Sequence, residues 1–441
     1  IPGLCARGFL SAPCVEEGAP PSPYAPAYLE NLRGRIAYLE TSRGCPYACA
    51  FCLSGRCGKP RWFPLEQAKR NILTLARSGA HTVKFIDRTF NANPAHANAI
   101  LAFILKHYGR DIPAGVCFHF ELAGDILREE TFALLEQAPP GAFQLEIGMQ
   151  SFCEKTLAAV RRKTDTGVLK QNIRRLVAMG NMHVHIDLIA GLPYEDYDSF
   201  RRSFADVYAL RPQQLQLGFL KVLRGSFMYE HTEEYDCHYQ EREPYEVLYT
   251  KWLPYDDVLK LKDVEEMVEV YYNSGQFVHT LPMIERLYEN PFDFFQELGD
   301  FYRAKGYSEA AHNRIQRYEI LLEFLQDEKQ QDEAFFRQMM VLDLYARENM
   351  KTRPRFAKDP SEWKNESRDF YQKEAETRTL LPSYTTYDWK QLQRMTHVEV
   401  FDYDVLGNGE KARTVLLFDY QKRDPLTGNA EMIDCSEFFY A

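Results

Sequence analysis

The stretch Arg43-Gly-Cys-Pro-Tyr-Ala-Cys-Ala-Phe-Cys52 places three thiols within eight residues. Cys45, Cys49 and Cys52 are spaced C-x3-C-x2-C, so one short loop can aim three thiolates at one point. The apolar run at residues 36–39 predicts a strand that leads into this loop. Soft thiolates select iron–sulfur clusters, zinc or Cu(I). Most cubane clusters take four cysteines, so a loop of three leaves one metal position open for chemistry.

The same loop has a second interpretation, a zinc knuckle in which Cys57 is the fourth ligand. The chain holds ten cysteines, and those outside the loop are scattered, several of them within apolar strands. That distribution is not a disulfide framework. It suits a reducing compartment, so we expect free thiols and a cytoplasmic location.

Strand and helix patterns alternate after the cysteine loop. This alternation indicates an α/β fold of βα units around a parallel sheet. Six units fall short of the eight that close a TIM barrel. The predicted strands are residues 36–40, 82–87, 116–121, 143–149, 183–190 and 214–219, and the predicted helices are residues 66–78, 94–108, 128–137, 152–160, 168–179 and 197–210.

Polar side chains stand at the ends of several predicted strands, where a purely structural strand would be apolar. They are Asp87, Glu121, Gln150 with Ser151, and Asp187. A charged group in such a position is costly unless it is paired or bound to a ligand. Because the carboxyl ends of parallel strands carry the active sites of such barrels, we expect these groups to share one site with the cysteine loop.

The motif C-x3-C-x2-C, with Phe51 just before the last cysteine, resembles the signature of the radical S-adenosylmethionine (radical SAM) superfamily. The resemblance implies a partial (β/α)6 TIM-like barrel over residues 35–225. It also implies a 4Fe–4S cluster on Cys45, Cys49 and Cys52, with S-adenosylmethionine chelating the fourth iron. Reduction of that cluster would cleave S-adenosylmethionine to a 5′-deoxyadenosyl radical, which abstracts hydrogen from the substrate.

The resemblance extends to an arrangement like that of oxygen-independent coproporphyrinogen oxidase, and this implies roles for single residues. Arg162 would contact the carboxylate of S-adenosylmethionine, with Arg161 as the alternative, and a guanidinium suits a carboxylate because its donors match bidentately. The other implied contacts are Gln150 and Asp187 to the ribose hydroxyls, Phe51 to the adenine, and Glu121 as a further ligand contact.

Two features around the implied site carry further expectations. Gly191, in the turn Gly191-Leu-Pro193, is expected to let the backbone approach a ligand. Residues 86–91 depart from the Gly-Gly-Glu-like motif that many members carry after the second strand. We expect Asp87 or backbone carbonyls to substitute for that motif.

The chain divides by composition into four predicted regions. Residues 1–32 form a Pro-rich linker, 33–230 the radical SAM barrel, 231–350 a mainly helical extension, and 351–441 a small C-terminal α+β region containing β-structure. Within the last two regions, the patterns predict a helix at 245–270, a long helix or helix pair at 314–349, and a β-hairpin of strands 397–405 and 413–420.

The opening residues resemble one branch of the superfamily further. The sequence Ile1-Pro-Gly-Leu4 and the Pro-rich run that ends at Tyr24-Ala-Pro26 are similar to the junction that follows a cobalamin-binding domain in cobalamin-dependent members. This resemblance implies cobalamin as a further cofactor and methyl transfer or a rearrangement as the reaction. It also implies that the domain holding cobalamin precedes these 441 residues.

The charge distribution bears on the partners. The net charge is −10, and residues 221–441 hold 28 Lys and Arg against 43 Asp and Glu. An acidic second half argues against nucleic-acid binding, and no apolar run approaches the length of a membrane span. We expect a small-molecule substrate and an electron donor such as flavodoxin or ferredoxin. Two alternatives stay open, a tRNA-modifying methylthiotransferase-like enzyme and a non-catalytic Cys–metal module.

Overall fold

A computed structural model describes residues 5–12, 20–56, 59–329 and 331–439 of the chain. The opening residues Ile1–Leu4 and the alternative zinc ligand Cys57 lie outside the described residues. The first half is built on a six-stranded sheet whose strands lie side by side in chain order. They are Ile36–Leu39, Thr82–Phe85, Cys117–Leu122, Phe143–Gln150, His183–Ala190 and Gln214–Phe219.

The pairing between the first five strands is parallel, as predicted. Their register sets Lys84 beside His119, Glu121 beside Glu146, and Glu146 beside His185. The helices between the strands are Leu65–Ala76, Pro94–His107, Glu129–Glu136, Glu154–Ala159, Thr166–Met179 and Tyr197–Tyr208. The α/β class and the partial barrel are therefore confirmed, and predicted and observed boundaries differ by three residues or fewer.

Local sequence explains where these helices begin and end. Asn93 caps the second helix by accepting a hydrogen bond from the His96 backbone N–H, and Pro94 occupies the first turn, where its missing N–H costs nothing. Asp165 caps the fifth helix in the same way, and Gly180, with φ +65°, ends it in the left-handed conformation.

The two faces of the sheet differ in chemistry because side chains alternate along each strand. Phe85, Phe118, Phe120 and Phe143 are fully buried on one face, where the Phe85 and Phe120 ring centres lie 4.6 Å apart. The alternate positions are polar or charged and point to the other face. The apolar face supplies the core, and the polar face supplies the interior of the partial barrel.

The structure after the barrel corrects one predicted helix. The prediction placed a helix over residues 245–270, but Val247–Tyr249 is a strand paired with His238–Tyr239, and the helix begins at Tyr255. Pro254, immediately before it, disfavours helical backbone at the residue it follows. The helix runs to Met267 and continues as a π-helix, Val268–Asn273.

Helices dominate the rest of the second half. The predicted element at 314–349 is a helix pair, Arg314–Asp327 and Glu333–Arg347. The predicted hairpin is confirmed as strands Thr396–Tyr403 and Lys411–Arg423, and a third strand, Ala430–Asp434, completes an antiparallel sheet. The remaining described α-helices there are Phe227–Glu230, Thr280–Glu285, Pro291–Ala304, Lys364–Thr377, Trp389–Met395 and Ser436–Phe439.

Short elements complete the description. The predicted linker holds a hairpin of Cys5–Ala6 and Phe9–Leu10 and the helix Pro26–Glu30. The chain forms two compact units, residues 1–195, 210–212 and 218–252, and residues 196–209, 213–217 and 253–441. The four regions read from composition stay predictions. None of the described helices combines the length and apolar composition that a membrane crossing requires.

Candidate functional site

The cysteine loop begins at a buried carboxylate. Asp87 accepts hydrogen bonds from the backbone N–H and the hydroxyl of Thr41, at 3.0 and 2.7 Å, and from the hydroxyl of Ser42 at 2.5 Å. Burial raises the pKa of Asp87, and these donors oppose that shift. Asp87 therefore anchors the start of the loop. Both oxygens of its carboxylate accept hydrogen bonds from Thr41 and Ser42. The expectation that Asp87 or backbone carbonyls substitute for the Gly-Gly-Glu-like motif stays a prediction.

The three loop thiols are free, as are all the cysteines of the described chain. The Sγ of Cys45 lies 3.4 Å from the hydroxyl of Thr89. The Sγ of Cys49 lies 3.8 Å from Nη1 of Arg162. The Sγ of Cys52 accepts a hydrogen bond from the backbone N–H of Ser54 at 3.4 Å. Burial raises the pKa of the Cys49 thiol, and Arg162 opposes that shift.

Of the residues expected at the site, Asp87 and Ser151 do not line the cavity, but the eight residues assigned to the cluster or to S-adenosylmethionine all line one cavity of about 190 Å³. They come from the loop after the first strand, from three strands of the sheet and from the segment before the fifth helix. They are Cys45, Cys49, Phe51, Cys52, Glu121, Gln150, Arg162 and Asp187. Residues separated by up to 142 positions in sequence therefore meet at the carboxyl edge of the sheet.

The two candidate arginines have different surroundings. Arg162 lines the cavity, and its Nη2 donates to the carbonyl of Gly148 at 2.5 Å. Its Nε is buried and has no hydrogen-bond partner among the described residues, which leaves a donor for a ligand. Arg161 instead lies over the ring of Phe227, 3.6 Å from the ring centre. The geometry therefore favours Arg162 over Arg161.

Gln150 has an unusual backbone. Its φ is +72°, a conformation that costs energy for a residue other than glycine and that persists where the surroundings impose it. Gly148 makes room for its side chain, since a Cβ at Gly148 would stand 2.0 Å from Nε2 of Gln150. Ser151, the next residue, is buried, and its hydroxyl donates to Oε1 of Glu195 at 2.7 Å.

The two predicted acidic residues of the cavity, Glu121 and Asp187, differ in their contacts with other side chains. Oδ1 of Asp187 lies 3.1 Å from Nε2 of the buried His185. Glu121 makes no hydrogen bond or ion pair within the described chain. Burial, followed by the nearby charge of Glu146, raises the pKa of Glu121.

Glu146 belongs to the cavity wall but was not among the predicted site residues. Its Oε2 lies 2.9 Å from Nε2 of His119 and 3.0 Å from Nζ of Lys84. The close approach of the His119 ring, with the charge of Lys84, lowers the pKa of Glu146 to about 2. Polar residues at every second position of three neighbouring strands were the available signal, because such residues share the interior face.

The structure explains the glycine at position 191 by packing, which differs from the predicted explanation. Its φ is +85°, and a Cβ there would stand 2.7 Å from Cγ1 of Val247. Gly191 does not line the cavity formed by the predicted site residues. Close packing against Val247 accounts for a glycine at this position, and the expectation that it lets the backbone approach a ligand stays a prediction.

The donor set of the loop fits an iron–sulfur cluster in its chemistry. Three free thiols lie in one short loop beside a cavity, and an unpartnered guanidinium nitrogen of Arg162 is buried in the same wall. Within the described ranges, no three His, Cys, Asp or Glu side chains are grouped closely enough to hold a single metal ion. The thiolates of a cluster bind different irons, so they need not converge on one ion.

Two family models match the chain. Residues 39–207 match the model described as the Radical SAM superfamily. Residues 233–418 match a model described as "Protein of unknown function (DUF4080)". The first match contains all eight predicted site residues, and the second covers most of the chain that follows the barrel.

Similar proteins are related at low identity. The ribosomal protein uS12 methylthiotransferase RimO of Anaeromyxobacter sp. is 26% identical over 191 residues, 39% of this chain and 37% of that protein. The cobalamin-dependent radical SAM methyltransferase TokK of Streptomyces tokunonensis is 26% identical over 193 residues, 41% of this chain and 28% of that protein. The matched part therefore spans less than two fifths of either relative.

Solved structures resemble the chain over a similar share. The radical S-adenosylmethionine methyltransferase TsrM from Kitasatospora setae, solved with cobalamin and a 4Fe–4S cluster bound, superposes with a TM-score of 0.42. It is 18% identical, and the superposition covers 47% of this chain and 41% of TsrM.

Proposed function

Because residues 39–207 of this chain are a radical SAM domain, we propose that the protein is a radical SAM enzyme that binds a 4Fe–4S cluster and S-adenosylmethionine in the cavity at the carboxyl edge of its sheet. The observation that carries the proposal is the meeting of all eight predicted residues around one cavity. A non-catalytic Cys–metal module would not need the polar residues that face the three thiols.

The cysteine loop would hold the cluster. Cys45, Cys49 and Cys52 each supply one thiolate, and Asp87 fixes the start of the loop through Thr41 and Ser42. When bound and reduced, the cluster supplies the electron that cleaves S-adenosylmethionine to methionine and a 5′-deoxyadenosyl radical. The protein's part is to bind, to orient and to exclude water from this reaction.

The polar wall of the cavity would bind S-adenosylmethionine. Arg162 presents donors that suit the carboxylate, and its unpartnered Nε supports that role. Asp187 would accept hydrogen bonds from the ribose hydroxyls, and the amide of Gln150 would donate to them or accept from them. Phe51 would pack on the adenine, and Glu121 would make a further contact.

An anaerobic turnover experiment tests the proposal. The protein is reconstituted with iron and sulfide, given dithionite and S-adenosylmethionine, and assayed for 5′-deoxyadenosine. We expect product from the wild type. Cys45→Ala should lose both bound iron and product, whereas Cys5→Ala, which removes an exposed thiol outside the cavity, should keep both. A well-formed cluster without any 5′-deoxyadenosine would overturn the proposal, and zinc without iron in the purified protein would favour the module.

We propose cobalamin-dependent methyl transfer to a small-molecule substrate as the finer reaction. The similarity to TokK supports it, and no residue of this chain is assigned to cobalamin. Methyl transfer converts S-adenosylmethionine to S-adenosylhomocysteine, while radical formation gives 5′-deoxyadenosine. Added cobalamin, reduced to cob(I)alamin by the reductant, should therefore take the methyl group of S-adenosylmethionine and give methylcobalamin and S-adenosylhomocysteine beside 5′-deoxyadenosine. S-adenosylhomocysteine that stays absent with reduced cobalamin present would contradict the finer reaction.

A methylthiotransferase-like reaction is the alternative, and the similarity to RimO supports it. The acidic second half argues against a tRNA substrate. The proposal also includes a reducing cytoplasmic setting and an electron donor such as flavodoxin or ferredoxin. Sulfur from labelled sulfide in the methylated product would favour the methylthiotransferase, because simple methyl transfer incorporates none.

A further inference from the structure

Glu146 has a carboxylate whose two partners, Lys84 and His119, both contact the same oxygen. Lys84 and His119 both approach Oε2, at 3.0 and 2.9 Å. No hydrogen bond reaches Oε1 from any described residue. Because Glu146 lines the cavity, its second oxygen is an acceptor available to a bound molecule. The neighbouring His119 and Lys84 lower the pKa of Glu146 to about 2, which favours its ionised form.

A second carboxylate stands beside it. Glu121 is the register partner of Glu146 on the neighbouring strand, and it also lines the cavity. Lys84 and His119 lie in the next row of the same face and are register partners of each other. The cavity therefore has an acidic side made by two adjacent strands, with Lys84 behind the carboxylates, and Arg88 and Arg162 also belong to its lining.

We infer that Glu146 is a specificity-determining residue that makes the cavity prefer the positively charged sulfonium of S-adenosylmethionine over the neutral thioether of S-adenosylhomocysteine. This inference rests on the proposed function. The cavity of about 190 Å³ is smaller than an ordinary ligand pocket, so a charge inside it lies close to the carboxylate. The attraction between unlike charges is also stronger in such a partly desolvated site than in water.

The same contacts could give Glu146 a purely structural role, and the test must distinguish that role from an electrostatic one. Glu146 lies on the fourth strand and pairs with Lys84 of the second strand and His119 of the third, so it links three strands. A structural role would change the binding of both ligands together. An electrostatic role changes the ratio of the two affinities. Removing a negative charge should lower the preference for S-adenosylmethionine, and removing a positive charge should raise it.

The experiment measures binding of S-adenosylmethionine and S-adenosylhomocysteine by anaerobic calorimetry. It uses the iron-reconstituted full chain without reductant, so that neither ligand is cleaved. Glu146→Gln should weaken S-adenosylmethionine about tenfold and leave S-adenosylhomocysteine unchanged. Lys84→Met, which removes a cation behind the carboxylate, should increase the preference for S-adenosylmethionine. Glu130→Gln, an exposed helical position, should change neither affinity.

Each outcome decides the inference. An unchanged ratio in Glu146→Gln, or equal loss of both ligands, would overturn it. If Glu146→Gln does not fold, Lys84→Met decides alone, and a preference that is unchanged or lower would overturn the inference. If the wild type takes up no cluster and binds no S-adenosylmethionine, the proposed function fails. If the wild type binds and only the ratio test fails, the proposed function stands without this inference.

Discussion

The carboxylate of Asp87 receives both the backbone N–H and the hydroxyl of Thr41, four residues before the first cysteine of the loop. This pair joins the end of the second strand to the start of the cysteine loop. Because Asp87 is only 1% exposed, water could not easily replace its carboxylate as the acceptor for these donors. The position of the three thiols therefore depends on a residue that does not touch the cavity.

Replacing Asp87 tests this dependence. Asp87→Ala would leave three donors without an acceptor, so we expect the free energy of unfolding to fall by about 3 kcal/mol. Urea unfolding of the protein measures the loss, and iron bound per chain after reconstitution should fall with it. Asp369→Ala, at an exposed helical position, is the control and should change neither quantity. A variant with full stability would contradict the anchoring role.

The neighbouring arginines offer a matched pair for ligand binding. Arg162→Gln should weaken S-adenosylmethionine by about tenfold or more, because it removes a charge-assisted contact. Arg161→Gln should leave that affinity unchanged, since Arg161 lies over Phe227 instead. Calorimetry on the reconstituted, unreduced protein measures both. Equal losses in the two variants would contradict the assignment of Arg162.

Arg162 also affects the pKa of the Cys49 thiol. Because it opposes the burial that raises the pKa of Cys49, Arg162→Gln should raise that pKa further. The fraction of thiolate at neutral pH then falls, and cluster reconstitution should slow. Raising the pH should restore the rate in the variant, which a general loss of folding would not allow.

Gly191 is expected to tolerate no side chain. Gly191→Ala combines a left-handed backbone with a contact of 2.7 Å to Val247, so we expect a loss of about 2 kcal/mol in unfolding free energy. In a double-mutant cycle, Val247→Ala should recover the steric part and leave the backbone part. Additive effects in urea unfolding would show that the two residues do not interact.

The C-terminal sheet contains a buried ion pair that sets another stability prediction. Glu399 is bound by Arg353 through two contacts of 2.6 and 2.8 Å, and Nε2 of His397 lies 2.9 Å away. Glu399→Ala would leave the half-buried Arg353 without its carboxylate partner and should cost about 3 kcal/mol. Replacing both Glu399 and Arg353 by methionine should cost less, because no charge is then stranded.

The pH dependence of that pair has a defined sign. Burial alone would raise the pKa of Glu399, but Arg353 and His397 bring it below its ordinary value. Its contribution to stability is therefore complete above about pH 4.3, the ordinary value for glutamate, and is lost as the pH falls through the lowered folded pKa. Glu399→Gln should flatten this acid loss in urea unfolding between pH 6 and pH 3. An acid loss as steep as that of the wild type would contradict it.

Local patterns were enough to predict most of the first half. Strand and helix periodicity, caps such as Asn93 and stops such as Gly180 act over a few residues, so the sequence alone carries them. The same patterns failed at residues 245–254, where Val247–Tyr249 pairs with His238–Tyr239. Pairing with a partner outside the segment decided that strand. The short third strand, Ala430–Asp434, was also missed.

The sequence by itself determined the cysteine spacing, the order of strands and helices, and which strand ends carry polar groups. Because parallel strands bring their carboxyl ends together, these features predicted that Glu121, Gln150 and Asp187 meet the three cysteines, and the family resemblance added Phe51 and Arg162; all eight line the cavity. Only the tertiary structure decided that Asp87 holds the loop, that Arg162 rather than Arg161 lines the cavity, and that Gly191 packs on Val247. It also decided that Lys84 and His119 hold Glu146. Each of these depends on which side chains from distant segments come within contact distance, and local propensity does not encode that.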